Sequence, residues 1–237
     1  MRESILAIEL SQRTGSIALR PRVDASVVEV PVPPSDDAND HLMAAIDELC
    51  RAHRVTPHDL AAIAVSCGPG GFTGLRVACA TAKAIADVTG AAVIAVPSAL
   101  SAARAAFRAG EVTEAGCTVA LACKEQDAWC TEIAFTSGAP SIVTARLAGA
   151  GSESILRWPL VADKHLTPAL ARAAAAHGGA IPARWSAAAC LEAGESLLAR
   201  GERTDLLSMG PIYPRPAEAV TLWEARHGGD SPAPGGR

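Results

Sequence analysis

The residues of this chain best equipped for chemistry run Ser66-Cys67-Gly68-Pro69-Gly70-Gly71-Phe72-Thr73-Gly74-Leu75-Arg76. They sit where the apolar run Ala61 to Val65 hands over to a helical pattern, Leu75 to Val88. Glycine accepts positive φ and lets other backbone come close. The free N–H groups that open a helix can meet an anion or a partner's carboxylate. The segment is therefore a phosphate cradle or a packing turn. A Walker A loop ends in Gly-Lys-Ser/Thr, because the lysine reaches the phosphates and the hydroxyl holds magnesium. Here Gly74 is followed by Leu75 and Arg76. A dinucleotide fingerprint needs Gly-x-Gly-x-x-Gly; Gly68 and Gly70 fit, but Thr73 stands third. Spacing favours a tight strand-to-helix turn with Thr73 as the helix N-cap. Arg76 in the first turn opposes the helix dipole, so it is expected to pair with an acidic group elsewhere.

Other chemistries fare no better. A nucleophile at Ser66 or Cys67 would need Gly-x-Ser-x-Gly, which occurs around neither. A metal at His41 would need a second ligand one helical turn on, where Ala45 stands. There is no His-Glu-x-x-His. No catalytic residue and no metal ligand set is predicted, and a peptidase is the least supported reading.

The elements that must hold this loop follow from patterning. Ser4 to Leu10, Ser16 to Arg20 and Ser26 to Val32 read as a β-meander, followed by a Pro-rich connector, Pro31 to Asp37. Asn39 to His53 places Leu42, Ile46, Leu49 and His53 on one helical stripe. Then come a strand (Ala61 to Cys67), the glycine loop, a helix (Leu75 to Val88), a strand (Ala91 to Val96), and a helix from Ser98 to Arg108 capped by Ser98. The order β-β-β-α-β-α-β-α predicts a mixed sheet with helices on its faces. It matches the ribonuclease H-like unit of the actin, Hsp70 and sugar-kinase superfamily. The second half repeats it weakly. Thr118 to Ala122 and Trp129 to Phe135 form a hairpin around Lys124-Glu125-Gln126-Asp127. Ile142 to Leu147 and Leu160 to Ala162 read as strands, and Leu166 to His177 and Ala187 to Ala199 as helices. The expected fold is α/β, two-lobed and actin-like, with duplicated ribonuclease H-like sheets. The first lobe would span 1–110, the smaller second lobe 111–210, and a C-terminal segment with a disordered Gly/Pro-rich tail (Gly228 to Arg237) 211–237.

Composition narrows the partners. Of 237 residues, 49% are hydrophobic but only 3% aromatic, so the core must come from alanine and the branched aliphatics. The net charge of −4 disfavours unaided binding to a polyphosphate backbone. Seven cysteines without a Cys-x-x-Cys pair read as small buried hydrophobes in a reducing cytosol. No signal peptide or membrane span is recognised, so a cytoplasmic protein is expected. Arg13, Arg20 and Arg22 read as a solvated charged edge before any nucleic-acid-facing role.

Ile5-Leu6-Ala7-Ile8-Glu9-Leu10-Ser11, the His41 helix, the run Ala64 to Lys83 and Ile212-Tyr213-Pro214-Arg215-Pro216 together resemble the TsaB family. These are bacterial tRNA threonylcarbamoyladenosine biosynthesis proteins, inactive glycoprotease-like relatives of TsaD. The resemblance implies a non-catalytic scaffold that binds and activates a TsaD-type catalytic subunit, with a TsaE-type ATPase and tRNA reached through the complex. It implies no tightly bound cofactor, with ATP only within the complex, and a homodimer when the partner is absent. It places the partner interface on the two first-lobe helices: His41, Leu42, Ala45, Ile46 and Leu49, and Leu75, Arg76, Ala78, Cys79, Ala82 and Ala86. A charge at Ala82 is then expected to abolish partner binding while the monomer still folds. This chain has Glu9-Leu10-Ser11 where the family usually has Asp-Thr-Ser, and Ala122-Cys123-Lys124 where an Asp-Ala-Arg-type triplet is common. The alternative is an ATP-dependent kinase or carbamoyltransferase of the same fold, using Gly68 to Gly74 and Glu9.

Overall fold

The computed structural model describes residues 2–33, 41–123, 127–148 and 156–214, together with 223 and 226. Part of the Pro-rich connector, the start of the Asn39 helix, the turn residues 124–126 and the Gly228 to Arg237 tail lie outside them.

Strands β1 (Ser4–Glu9), β2 (Gly15–Arg20), β3 (Val28–Val32), β4 (Leu60–Gly68) and β5 (Ala92–Pro97) form one sheet in the order β3-β2-β1-β4-β5. The meander strands pair antiparallel, whereas β1, β4 and β5 run parallel. The second sheet repeats this plan with β6 (Cys117–Ala122), β7 (Ala128–Thr136), β8 (Ala139–Ala148), β9 (Leu160–Ala162) and β10 (Ile181–Pro182). Its order is β10-β9-β6-β7-β8, with β6, β7 and β8 antiparallel and β6, β9 and β10 parallel. The duplication suggested by the sequence is thus a duplication of topology. β10 was not foreseen: two residues, Ile181 and Pro182, are too few to show a period.

The helices are α1 (His41–Ala52), α2 (Phe72–Thr89), α3 (Ser98–Arg108), α4 (Pro168–Ala176) and α5 (Ala187–Ala199). Alternation along β1 sorts them. Leu6 and Ile8 point into a core with α1 and α2, and Ala7 points into a core with α3 and α5. That second core also takes Val119, Ile133 and Phe135 from the other sheet, so both sheets share it. α3 follows β5 but also packs on β6, β7, β8 and β9, and α5 follows β10 but packs on β1, β2, β4 and β5. Close approach demands small residues: a Cβ at Gly194 of α5 would stand 2.6 Å from the Ala64 Cβ of β4. Glu29 of β3 holds the start of α5, accepting from the Ala187 N–H at 2.7 Å and the Ser186 hydroxyl at 2.8 Å.

Two caps differ from expectation. The N-cap of α2 is Gly71, and Thr73 lies inside the first turn, because the helix begins three residues before the apolar period becomes visible. The N-cap of α3 is Pro97; Ser98 is helical and uses its hydroxyl on Ser66 Oγ, 2.9 Å away.

After α5 the chain returns to the first lobe as a strap. The Thr204 N–H donates to Val93 O and the Ala95 N–H to Thr204 Oγ1, both at 2.9 Å. The Ile212 N–H donates to Cys67 O at 2.7 Å, and Met209 is buried beside α2 with Leu206 and Ile212 against the same core.

Candidate functional site

The chain itself packs against one side of the glycine loop. The Gly71 N–H donates to Ser11 O at 2.7 Å. A Cβ at Gly70 would run into Ser11 O, and one at Gly74 into Leu10 O. Gly68, at φ +107°, has Ile212 O and Leu75 Cδ1 each 2.9 Å from where its Cβ would be. Gly68-Pro69 is a cis peptide and Pro69 is buried. The Leu10–Ser11 turn and the strap thus pack closely on the side of the loop where side chains at Gly68, Gly70 and Gly74 would stand, while residues 70–73 stay exposed. The loop positions α2 on β4 and seats the strap.

Behind the loop lies a buried polar cluster. Glu9 is 1% exposed, and its Oε1 accepts the Ser11 N–H at 2.8 Å. Burial pushes its carboxyl above the usual carboxylate range, partly offset by the Ser11 N–H and the nearby polar side chains of Ser11, Ser66 and Ser101. Burial, reinforced by Cys79, pushes the Cys67 thiol up to about 12, away from the thiolate a nucleophile needs. Among the described residues no three His, Cys, Asp or Glu side chains are grouped to hold a metal.

The outer face of α2 is different. Phe72, Arg76, Ala80, Ala84 and Val88 recur every four residues and all are exposed. Phe72 is 55% exposed and Val88 77%. The Arg76 guanidinium lies 3.7 Å over the Phe72 ring, and its Nε donates to the Tyr213 hydroxyl at 3.3 Å. The Tyr213 and Phe72 ring centroids are 5.6 Å apart. Arg76 therefore pairs with the Phe72 ring and the Tyr213 hydroxyl and, among the described residues, not with the acid expected from its place in the helix. Its charge is tolerated because the rings, not the helix end alone, set its surroundings.

The structure separates the predicted contact residues into two groups. Leu42, Ile46 and Leu49 of α1 and Leu75, Ala78, Cys79, Ala82 and Ala86 of α2 are buried, and all but Leu75 sit in the core that α1 and α2 share with the sheet. His41 and Arg76 are exposed and Ala45 is half-buried. The correction has a simple cause: a small-residue stripe is as good a surface for the chain's own sheet as for a partner helix. Phe72 and Thr73 of the loop are open to solvent. Among Arg13, Arg20 and Arg22, the reading as a solvated edge fails for Arg20, which grips Glu195 of α5 through two bonds of 2.6 and 3.0 Å.

Residues 30–125 match the family model described as TsaD: tRNA N6-adenosine threonylcarbamoyltransferase. Two solved structures superpose on nearly the whole chain. One is a Pseudomonas aeruginosa protein described as similar to peptidase YeaZ: 18% identity, TM-score 0.72, 90% of this chain and 100% of that one. The other is YeaZ from Pseudomonas aeruginosa: 19% identity, TM-score 0.72, 89% of this chain and 100% of that one. The fold is that of YeaZ. The resemblance read from the sequence points the same way as the family-model match over residues 30–125, and the two solved structures establish the fold. No curated protein matches the sequence.

The part of this site that sequence reasoning did not assemble is the contact of Tyr213 with Phe72 and Arg76. Its signal was present in the Ile212-Tyr213-Pro214 motif, but 137 positions separate the tyrosine from Arg76. No local period reports a contact of that span. Among the described residues, no helix is long and apolar enough to cross a membrane.

Proposed function

We propose that this chain is a non-catalytic, cytoplasmic scaffold subunit of the tRNA threonylcarbamoyladenosine machinery, binding and activating a TsaD-type catalytic subunit. The observation that carries the reading is the solvent-facing stripe Phe72, Arg76, Ala80, Ala84 and Val88, with Tyr213 beside it, in the lobe that matches the TsaD family model. Small residues in the middle of a helix let a partner helix approach closely, and aromatic and arginine side chains at one end supply the anchoring contacts typical of interface centres. His41 and the exposed residues of α1 extend the surface. The partner of this chemistry is a subunit of related fold, presenting an apolar helix pair. A TsaE-type ATPase and tRNA are engaged through that subunit, and ATP is held only in the complex. Without the catalytic subunit, the same stripe serves a homodimer.

Less favoured is the ATP-dependent enzyme reading, because the Ser11 and Leu10 carbonyls crowd Gly70 and Gly74 of the loop it would use. The test is a binding titration of the purified chain with the TsaD-type subunit of the same source. Wild type is expected to bind, and Ala80→Glu is expected to fold normally and lose binding at least tenfold. Equal binding by both removes α2 from the interface. No binding by the wild type removes the scaffold reading.

A further inference from the structure

Glu9 ends β1 on the strand face that carries Ala7, towards the core shared by both sheets. Its Oε2 has no hydrogen-bond partner, and the buried Ser11 hydroxyl beside it has none either. Ser66 of β4 and Ser101 of α3 lie against the carboxyl. The neighbouring titratable groups are acids: Cys67 of β4 and Cys190 of α5 both feel the charge of Glu9. Ser16 of β2 stands opposite in register, and beyond it is Glu29 of β3. The cations of these elements are engaged elsewhere, Arg20 with Glu195 and Arg104 with Glu192. Among the described residues no lysine, arginine or histidine bonds to Glu9. A carboxylate stripped of water needs a cation or several donors, and Glu9 has one backbone N–H. A neutral acid needs neither.

We propose that Glu9 is a protonated carboxylic acid in the folded protein, buried in the core that the two sheets share. It is a built-in proton switch: release of that proton to solvent at alkaline pH leaves an uncompensated charge in the shared core and loosens it. The proposal is independent of partner binding. Its sign follows from linkage. Burial raises the folded-state carboxyl above its ordinary value of 4.5. Below that value neither state is ionised, and the contribution is fully present. Above it the unfolded chain loses the proton first. The unfolding constant then rises by up to ~tenfold per pH unit until the folded-state value is passed.

The experiment is a pH titration of the Glu9 side-chain carboxyl carbon in the full, isotopically labelled chain by NMR, alongside urea unfolding of wild type and Glu9→Gln over the same range. Glu9→Gln keeps a donor and cannot ionise. The expected result is a Glu9 carbon that stays protonated through neutral pH. The wild type should lose stability with rising pH, relative to Glu9→Gln, by one proton. A carbon that titrates in the ordinary carboxylate range overturns the proposal. So does a stability difference that does not change with pH. If Glu9→Gln does not fold, the wild-type titration decides alone.

Discussion

A methyl group at position 70 would have to displace the Ser11 carbonyl, and one at 74 the Leu10 carbonyl. Backbone atoms in a central strand-to-helix turn yield less readily than a flexible side chain. Gly70→Ala is therefore expected to cost about 2 kcal/mol of stability, read as a lowered urea midpoint, with no nucleotide present. A nucleotide cradle would instead show unchanged stability and altered ATP affinity. Thiol reactivity is a second test at this scale. Burial pushes Cys117 up to about 12 and Cys130 up to about 11, and Cys50, Cys79 and Cys190 are raised by the same cause. Cys123 is half-buried. Near neutral pH a thiol reagent should modify Cys123 first in the native protein and the other six only on unfolding, as peptide mapping would show.

At the scale of elements, α2 has two faces with opposite demands. Ala82 is 0% exposed in the chain's own core. Ala82→Glu would bury an unpaired charge and is expected to cost on the order of 4 kcal/mol, measured by thermal or urea unfolding. Loss of binding in that variant would report unfolding and not an interface. Arg76→Glu changes the outer face. It removes the guanidinium from the Phe72 ring and the Tyr213 hydroxyl. Stability should shift by about 1 kcal/mol or less, since both contacts are exposed. Partner binding in the same titration should fall tenfold or more. The pair of variants separates packing from docking. The strap adds to the same core: Met209, Leu206 and Ile212 come back from the end of the chain to join the cluster that α1 and α2 share with the sheet.

At the scale of the whole molecule, the lobes are joined by exchange. α3 and α5 each lie between both sheets, and side-chain bonds cross the seam. Arg20 of β2 holds Glu195 of α5, and each side chain is about a quarter exposed. Arg20→Ala is expected to cost about 1 kcal/mol, given that exposure and screening, and less at high salt. A salt series of unfolding curves for wild type and variant checks it. Much of this architecture was legible in the residues. Periods of two and 3.6 located the strands and helices, and Ala187 to Ala199 matched α5 end to end. The turn chemistry of Gly68 to Gly74 identified the loop as the feature that matters, and the missing Gly-Lys-Ser/Thr argued against a cradle. Those are properties of neighbours in the chain, where backbone geometry ties residue type to conformation. Which face of α2 meets the sheet, what packs against the glycine loop, and that Tyr213 reaches Arg76 were decided only by tertiary structure. Each depends on contacts between segments far apart in the chain, and a run of alanines satisfies a sheet and a partner helix equally well until the fold chooses between them.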